Sequence, residues 1–298
     1  MAIKRPFPLL PSPLAGRYSG SLQPESFAWI ALILMLLFTC AAWFIADRIV
    51  SHRVSDRFLY RAEKERDFIV RRMQAYELVL QGTAAFVESS RDVSRDEWRR
   101  YVTLLELEKN LPGLQAVGLA WHLTADQRAG FVQAARREGL AQFDVWPPGE
   151  REEYASILYL EPLDGINRQA LGYDMFSEAV RRDALERARD TGRAAVSGKV
   201  TLVQEKAGTE RAGFLMYLPV YRENAPRETI AERRQALQGF VHSAFRAEDL
   251  MRNVLGNQLK DVDLLLYDEE EKPDKLLFDS GMADNPSQRG AYAVRLSI

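Results

Sequence analysis

The hydrophobic pattern begins with a run of apolar residues, FAWIALILMLLFTCAAWFIA at 27–46, that contains no charged residue. About 20 such residues are what an α-helix needs to cross the hydrocarbon core of a bilayer. Trp29 and Trp43 lie near the two ends of this run, where indole rings prefer the membrane interface. We therefore predict a transmembrane helix at 27–47. The preceding segment, 1–26, is rich in Pro, Ser and Gly, and we predict a disordered tail there.

A cleaved signal peptide and a lipoprotein signal are the two alternatives to a transmembrane helix for the apolar run. A signal peptide has an apolar region of roughly 7–15 residues and an A-x-A-like cleavage site, whereas this run is longer and has no clear A-x-A. A lipoprotein cleavage site before Cys40 would contain the bulky Phe38, which fits that signal poorly. Length therefore favours the uncleaved helix. Basic residues lie on both sides of the run, so charge does not orient it.

A long helix is predicted at 48–92, because apolar residues recur at helical spacing and the first glycine is Gly82. The spaced apolar positions are Val50, Val54, Phe58 and Ala62, followed by Ile69, Met73, Tyr76 and Leu80. Such a stripe suits pairing with a second copy of the helix, and equally suits packing against the helix's own domain.

Beyond residue 92 the pattern alternates between short helices and short strands, which predicts an α+β domain with an antiparallel sheet. Capping signatures at Ser94/Glu97 and Thr124/Gln127 open two helices, and Gly192 and Gly256 close two others that begin near residues 177 and 247. Strands are predicted at 114–122, 143–145, 157–160, 199–204, 213–221, 239–245, 261–267, 275–279 and 291–298.

Composition excludes several classes of function. The formal net charge is −2 and the sequence pI is about 6.1, so nothing points to nucleic acid. The single cysteine allows neither an internal disulfide nor a cysteine-based zinc site within one chain. No Walker, Rossmann, G-x-S-x-G or H-E-x-x-H motif occurs. His122 and His242 lie on predicted strands, and we interpret them as satisfied structural histidines. We predict no catalytic residue, metal or cofactor.

Several segments, taken in order, carry a family resemblance. They are LPGLQAVGLAW (111–121), a PPG-x-R-x-x-Y pattern (147–154), YLEP (159–162), GYDMFSE (172–178), RDALERARDTG (182–192), TLVQE (201–205) and GFLMYLPVY (213–221). In this order and spacing the chain resembles a bacterial member of the CHASE domain family, the extracytoplasmic ligand-sensing modules of membrane receptors in bacteria and plants.

The resemblance implies an architecture and a partner class. It implies a long helix followed by tandem PAS-like antiparallel sheets, with a distal ligand-binding region at 93–246 and a membrane-proximal region at 247–298, before a second transmembrane helix. The N-terminal tail would be cytoplasmic and the sensor region periplasmic, on the inner membrane. The expected partners are a small organic ligand, the membrane and a second copy of the chain in a homodimer. Any enzymatic activity would belong to a cytoplasmic output module of the histidine kinase or diguanylate cyclase type, beyond the residues present.

The resemblance also implies site residues. In cytokinin-sensing members the aspartate of this motif hydrogen-bonds the ligand, and an apolar residue shortly after T-G contributes a backbone contact; these positions are Asp174 and Val196. Asp174 could instead cap the helix that begins near Ser177. The candidate pocket walls are Tyr173, Met175, Leu202, Phe214 and Tyr217, although ordinary sheet core is the favoured interpretation of each. The residues around Asp174 depart from the plant pattern, so a cytokinin-like adenine derivative is not implied.

Two competing functions remain open from the sequence. A structural or partner-sensing ectodomain would share the anchor and the fold, but it would lack a ligand-sized pocket near Asp174. An extracytoplasmic hydrolase would need a nucleophile, a base and oxyanion donors that converge in one cleft.

Overall fold

A computed structural model of the chain describes residues 24–203, 211–256 and 263–281. It divides into two compact units, one up to residue 58 and one from residue 59 onward. Of the predicted tail at 1–26, all but the last three residues lie outside the described part of the chain.

The predicted transmembrane helix and the predicted long helix form one continuous helix, α1, at Pro24–Glu88. Its N-terminal part is exposed along its apolar side chains, including Trp29, Met35 and Phe38. Among the described residues α1 is the one helix that is long and apolar enough to cross a membrane.

The C-terminal part of α1 packs within its own domain. Its buried side chains recur at spacings of three, four and seven residues and so form one stripe: Ile69, Tyr76, Leu80, Ala84 and Val87. The Tyr76 hydroxyl donates a 2.6 Å hydrogen bond to the Pro112 carbonyl oxygen. From Ile69 onward, the helix is therefore packed into the second unit.

That unit is built on an antiparallel sheet of six strands. The strands are β1 (Leu114–Thr124), β2 (Glu153–Glu161), β3 (Ala195–Val196), β4 (Val200–Thr201), β5 (Ala212–Tyr221) and β6 (Leu237–Arg246). Their order is β2-β1-β6-β5-β3, and β4 also pairs with β5. The α+β class with an antiparallel sheet is confirmed.

Two predicted strands are wrong in detail. Residues 143–145 form no strand; Trp146 instead makes an isolated bridge to Tyr173. The strand predicted at 199–204 is reduced to the two residues of β4, and residue 204 lies outside the described part. Both segments are short, so their apolar residues carry little information about pairing with distant strands.

The remaining helices are α2 (Arg95–Leu104), α3 (Leu107–Asn110), α4 (Arg128–Arg137), α5 (Ala179–Thr191), α6 (Ile230–Ala236) and α7 (Ala247–Leu255). The capping box predicted at Ser94 and Glu97 is present at the start of α2. Gly192 ends α5 with a φ of 70°, the left-handed conformation expected of a C-terminal glycine.

A two-stranded hairpin follows α7, with β7 at Leu265–Tyr267 and β8 at Leu276–Asp279. The third strand predicted here, at 291–298, lies outside the described residues, as do 261 and 262. Asp268 in the hairpin accepts hydrogen bonds from the Lys199 backbone N–H and from Lys275 Nζ. The hairpin is thereby joined to the turn between β3 and β4.

The six-stranded sheet has two covered faces. The α1 face packs against α1, α2 and α7 and carries Leu119, Phe214 and Phe245. The α5 face packs against α5 and the segment before it. Side chains alternate along the strands, so Phe240, His242 and Ala244 of β6 all point to the α5 face.

Candidate ligand-binding site

Asp174 is a fully buried carboxylate beside the edge strand β2. Its Oδ1 accepts hydrogen bonds from the backbone N–H of Ala155 (2.8 Å) and of Phe176 (3.1 Å). The second bond caps a short 3-10 helix at Met175–Ser177, and the first ties this helix to β2. One oxygen of Asp174 therefore has a structural role.

The cap of α5 is a different residue. Glu178 accepts from the backbone N–H groups of Val180 and Arg181, at 2.9 and 3.0 Å. Helix capping by Asp174 thus occurs, but at the 3-10 helix and not at the α-helix that follows.

The second oxygen of Asp174 has no hydrogen-bond partner among the described residues. The nearest cation is Arg151, whose Nη1 lies 3.3 Å from Oδ2, close enough for an ion pair. Burial raises the pKa of the Asp174 carboxyl above its ordinary value, against the opposing effects of the two N–H bonds and of Arg151. This oxygen therefore faces Arg151 as an ion-pair partner, without a hydrogen bond from the described residues.

Arg151 was not identified as a site residue from the sequence, although it lies in the 147–154 pattern. Its guanidinium donates to the carbonyl oxygens of Pro147 and Gly149 and lies 5.8 Å from the centre of the Tyr154 ring. Its link to Asp174 joins residues 23 positions apart, and no local pattern reveals such a contact.

Two further buried polar groups lie side by side on the α5 face. The rings of Tyr217 and His242 are 6.3 Å apart, and neither the Tyr217 hydroxyl nor His242 Nδ1 has a hydrogen-bond partner among the described residues. Burial lowers the pKa of His242 to about 3 and raises that of Tyr217. Among the described residues, His242 Nδ1 therefore lacks the partner that the interpretation as a satisfied histidine expects.

Gly118 on β1 leaves room for the His242 ring. A methyl group at this position would lie 2.3 Å from His242 Cε1 and 2.8 Å from Leu160 Cδ1, far inside contact distance. The backbone of β1 thus forms the floor on which the imidazole lies.

A small cavity of about 20 Å³ lies beside these groups, which is room for about one water molecule. Its lining includes Tyr173, Met175, Leu215, Arg181 and His242. The Arg181 guanidinium is buried, lies 5.4 Å from the centre of the Tyr173 ring and donates to the Thr201 carbonyl oxygen at 2.6 Å. Asp174 is not part of this lining.

The predicted site residues divide into two groups. Tyr173, Met175, Leu202 and Tyr217 share one buried cluster on the α5 face, and Asp174 adjoins it. Phe214 points to the α1 face, where it stacks on Phe245 at 5.1 Å, so it is not brought together with Asp174.

Val196 also stands apart from the cluster. It lies on the edge strand β3 with 38% of its surface exposed, and its carbonyl oxygen accepts from Arg187 at 2.9 Å. Within the described residues, no group of three or more His, Cys, Asp or Glu side chains is placed to hold a metal ion.

Comparison with known proteins identifies the family. The family model of the CHASE domain matches residues 91–278, well over half of the chain. The chain belongs to the CHASE domain family, whose members are sensor domains, and the resemblance seen in the sequence is confirmed.

The similar curated proteins are plant histidine kinases. The chain is 26% identical to probable histidine kinase 6 of Oryza sativa subsp. japonica over 201 residues, which is 64% of this chain and 19% of that protein. It is 28% identical to probable histidine kinase 4 of the same plant over 174 residues, 56% of this chain and 16% of that protein. The chain thus spans less than a fifth of the relatives it matches.

A solved structure is also similar. It is the ligand binding domain of the Pseudomonas aeruginosa PAO1 amino acid chemoreceptor PctC in complex with GABA. The TM-score is 0.46 at 14% sequence identity, with 76% of this chain and 81% of that chain covered.

Proposed function

We propose that this chain is the sensor part of a membrane-anchored receptor that binds a small organic ligand on the α5 face. The signal passes through α1 and the membrane to a cytoplasmic output module of the histidine kinase or diguanylate cyclase type, in a homodimer. Membership of the CHASE family, the similarity to histidine kinases and the exposed apolar part of α1 support this proposal. The ligand-binding residues are Asp174, Tyr173, Met175, Leu202 and Tyr217, together with Arg151 and His242.

One observation carries the ligand site. Three buried polar atoms have no hydrogen-bond partner among the described residues: Tyr217 Oη and His242 Nδ1, whose rings are 6.3 Å apart, and Asp174 Oδ2, which adjoins the same buried cluster and lies 3.3 Å from Arg151 Nη1. A buried polar group without a partner costs about 1–3 kcal/mol. A ligand that brings matching donors and acceptors recovers part of this free energy, and its apolar body suits the Met175 and Leu215 surroundings.

The small size of the cavity bears on the mechanism. Since about 20 Å³ holds one water molecule, a larger ligand must displace side chains between α5 and the sheet. The bound and free states then differ in the packing of this layer. A ligand shifts such an equilibrium only through its different affinities for the two states. The proposed ligand fits the expanded packing and not the compact one, so its binding favours the expanded state.

The test compares wild type with Asp174→Asn and Asp174→Ala, each as the full chain in detergent, by thermal unfolding against adenine derivatives, amino acids and small carboxylates. Asn keeps a carbonyl oxygen for the Ala155 and Phe176 N–H groups but loses the charge. We expect a ligand at about 100 times its Kd to stabilise wild type by roughly 2.7 kcal/mol. Asp174→Asn should weaken its binding about tenfold or more.

Asp174→Ala provides the structural comparison. It leaves both backbone N–H groups without an acceptor, at about 1–3 kcal/mol each, so it should unfold at lower temperature whether or not a ligand is present. If no compound in the panel binds wild type, the structural or partner-sensing ectodomain is the better function. If a ligand binds Asp174→Asn as tightly as wild type, the ligand site lies elsewhere.

A further inference from the structure

A larger cavity lies on the α1 face of the sheet, independent of the proposed ligand site. Its volume is about 190 Å³, and it lies between α4 and the segment that joins α1 to α2, over strands β1 and β2. It shares no lining residue with the cavity on the α5 face. An engineered protein cavity of about 150 Å³ holds benzene, so this volume admits a ring with a short side chain.

The body of this cavity is apolar and aromatic. Leu119 and Trp121 of β1, Leu158 of β2 and Phe131 of α4 form its walls. Trp121 and Phe131 are only partly buried although they are among the largest apolar side chains of the region. Partly exposed aromatic walls around a cavity suit a ligand that covers them.

The charged groups of this cavity are mainly acidic. Of the described residues that line it, Asp92 and Glu138 carry carboxylates and Arg91 carries a guanidinium. Both carboxylates are exposed to solvent. Glu138 Oε2 lies 3.0 Å from the Tyr159 hydroxyl, which is also 3.0 Å from the Val93 carbonyl oxygen.

The basic groups nearby leave an acidic excess within the lining. Arg95 lies next to the cavity but not in its lining, with its guanidinium 5.5 Å from the centre of the Tyr159 ring. Arg91 is exposed, so water can solvate its guanidinium in place of a ligand. The lining therefore carries two carboxylates against one guanidinium, and Arg95, with two buried nitrogens that lack a hydrogen-bond partner among the described residues, is a further cation outside it.

We propose that this cavity binds a small organic cation, namely a protonated amine carried on an apolar body of about the size of one ring. The amine lies at Glu138 and Asp92, because charge-assisted hydrogen bonds to carboxylates are the strong ones. The body lies against Trp121 and Phe131, whose ring faces also attract a cation. The ligand contacts Val87 in the last turn of α1, so it stabilises the end of that helix.

The test uses 2-phenylethylamine as the probe and 2-phenylethanol and 3-phenylpropanoate as neutral and anionic counterparts, with the full chain in detergent. Calorimetry should give the tightest binding for the amine, weaker binding for the alcohol and none for the acid. Hydrogen exchange of the backbone at 85–93 should slow when the amine is bound, since the cavity includes residues 87 and 90–93.

Two variants with matched controls assign the site. Ala134→Phe fills the cavity from α4 and should abolish amine binding, whereas Gln133→Phe, on the exposed side of α4, should not. Glu138→Gln should weaken amine binding roughly fivefold, the value of an exposed ion pair. Glu108→Gln removes the same charge from exposed α3 and should leave binding unchanged.

The proposal is overturned if the amine fails to bind wild type, if the alcohol or the acid binds as tightly as the amine, or if Ala134→Phe binds as wild type does. Asp174→Asn separates this site from the one on the α5 face, because it should leave amine affinity unchanged. A ligand of the α5 face should conversely be indifferent to Ala134→Phe.

Discussion

His242 is an imidazole whose charged form is disfavoured by burial in the protein interior. Burial lowers its pKa from an ordinary value of 6.5 to about 3. Between these two pH values the unfolded chain binds a proton at this residue and the folded chain does not. The free energy of unfolding contributed by His242 is therefore complete above pH 6.5 and decreases as the pH falls toward 3.

We expect the free energy of unfolding of His242→Leu to depend less on pH, below pH 6.5, than that of wild type. The loss of wild-type stability between pH 6.5 and pH 4 should decrease by up to about 1.4 kcal/mol per pH unit, as measured by thermal unfolding of the full chain. Phe240→Leu, a buried neighbour on the same face that does not titrate, is the control: it should lower stability equally at every pH. Equal slopes in wild type and His242→Leu would contradict the role of this histidine.

At this scale the sequence predicts which residue types need a partner, but not where the partner comes from. Asp174 stands out because a carboxylate among apolar neighbours is costly to bury. Its contacts with Ala155 and Arg151 come from β2 and from a distant loop, so local spacing contains no trace of them. The surroundings of His242, whose Nδ1 has no hydrogen-bond partner in the described part of the chain, are likewise determined by the sheet register and not by local sequence.

Among the elements, two helix boundaries are predicted correctly because a nearby residue specifies them. The capping box at Ser94 and the left-handed Gly192 each act within one turn of helix, and both are observed. The capping signature predicted at Thr124 and Gln127 is wrong, because Gln127 is itself the N-cap of α4 and no side chain caps that helix. Residues 143–145 and 199–204 fail because a strand exists only through its partner. Helix ends are therefore local properties of this chain, whereas short strands are not.

The same substitution should have opposite effects in a strand and in a helix. Gly118→Ala on β1 places a methyl group 2.3 Å from His242 Cε1 and should destabilise the domain by about 1–3 kcal/mol through overpacking. Gly130→Ala in α4 meets nothing within 4 Å and should stabilise it by about 0.5–1 kcal/mol. Unfolding of both variants by a chemical denaturant measures whether each substitution raises or lowers the free energy of unfolding. A stabilising Gly118→Ala would show that the His242 ring moves freely.

For the whole molecule, the order of motifs predicts the fold class but not the face on which each side chain lies. Phe214 and Tyr217 are three residues apart on β5 and were both expected at one site, yet they lie on opposite faces of the sheet. Successive side chains along a strand point to opposite faces of the sheet, so a shift of one residue in the pairing register would move each side chain to the other face. Pairing with β6 determines the register, and that information is spread over the whole sheet.

Membrane topology can be tested because the chain has a single cysteine, Cys40. In a Cys40→Ser background, we expect a cysteine introduced at Gln133 to react with a membrane-impermeant maleimide in intact bacterial cells whose outer membrane is permeabilised. A cysteine introduced at Ser12 should react only after lysis. The reverse labelling pattern would place the sensor region in the cytoplasm and contradict the proposed orientation.

The buried stripe on α1 restricts how this helix can move. Turning the helix by one residue, about 100°, would replace Tyr76 and Leu80 in the core by Glu77 and Gln81, and it would break the bond from Tyr76 to Pro112. Burying a carboxylate in that position is strongly unfavourable. The buried stripe and this bond therefore oppose rotation of the last turns of α1 within the domain, so these turns move together with the domain.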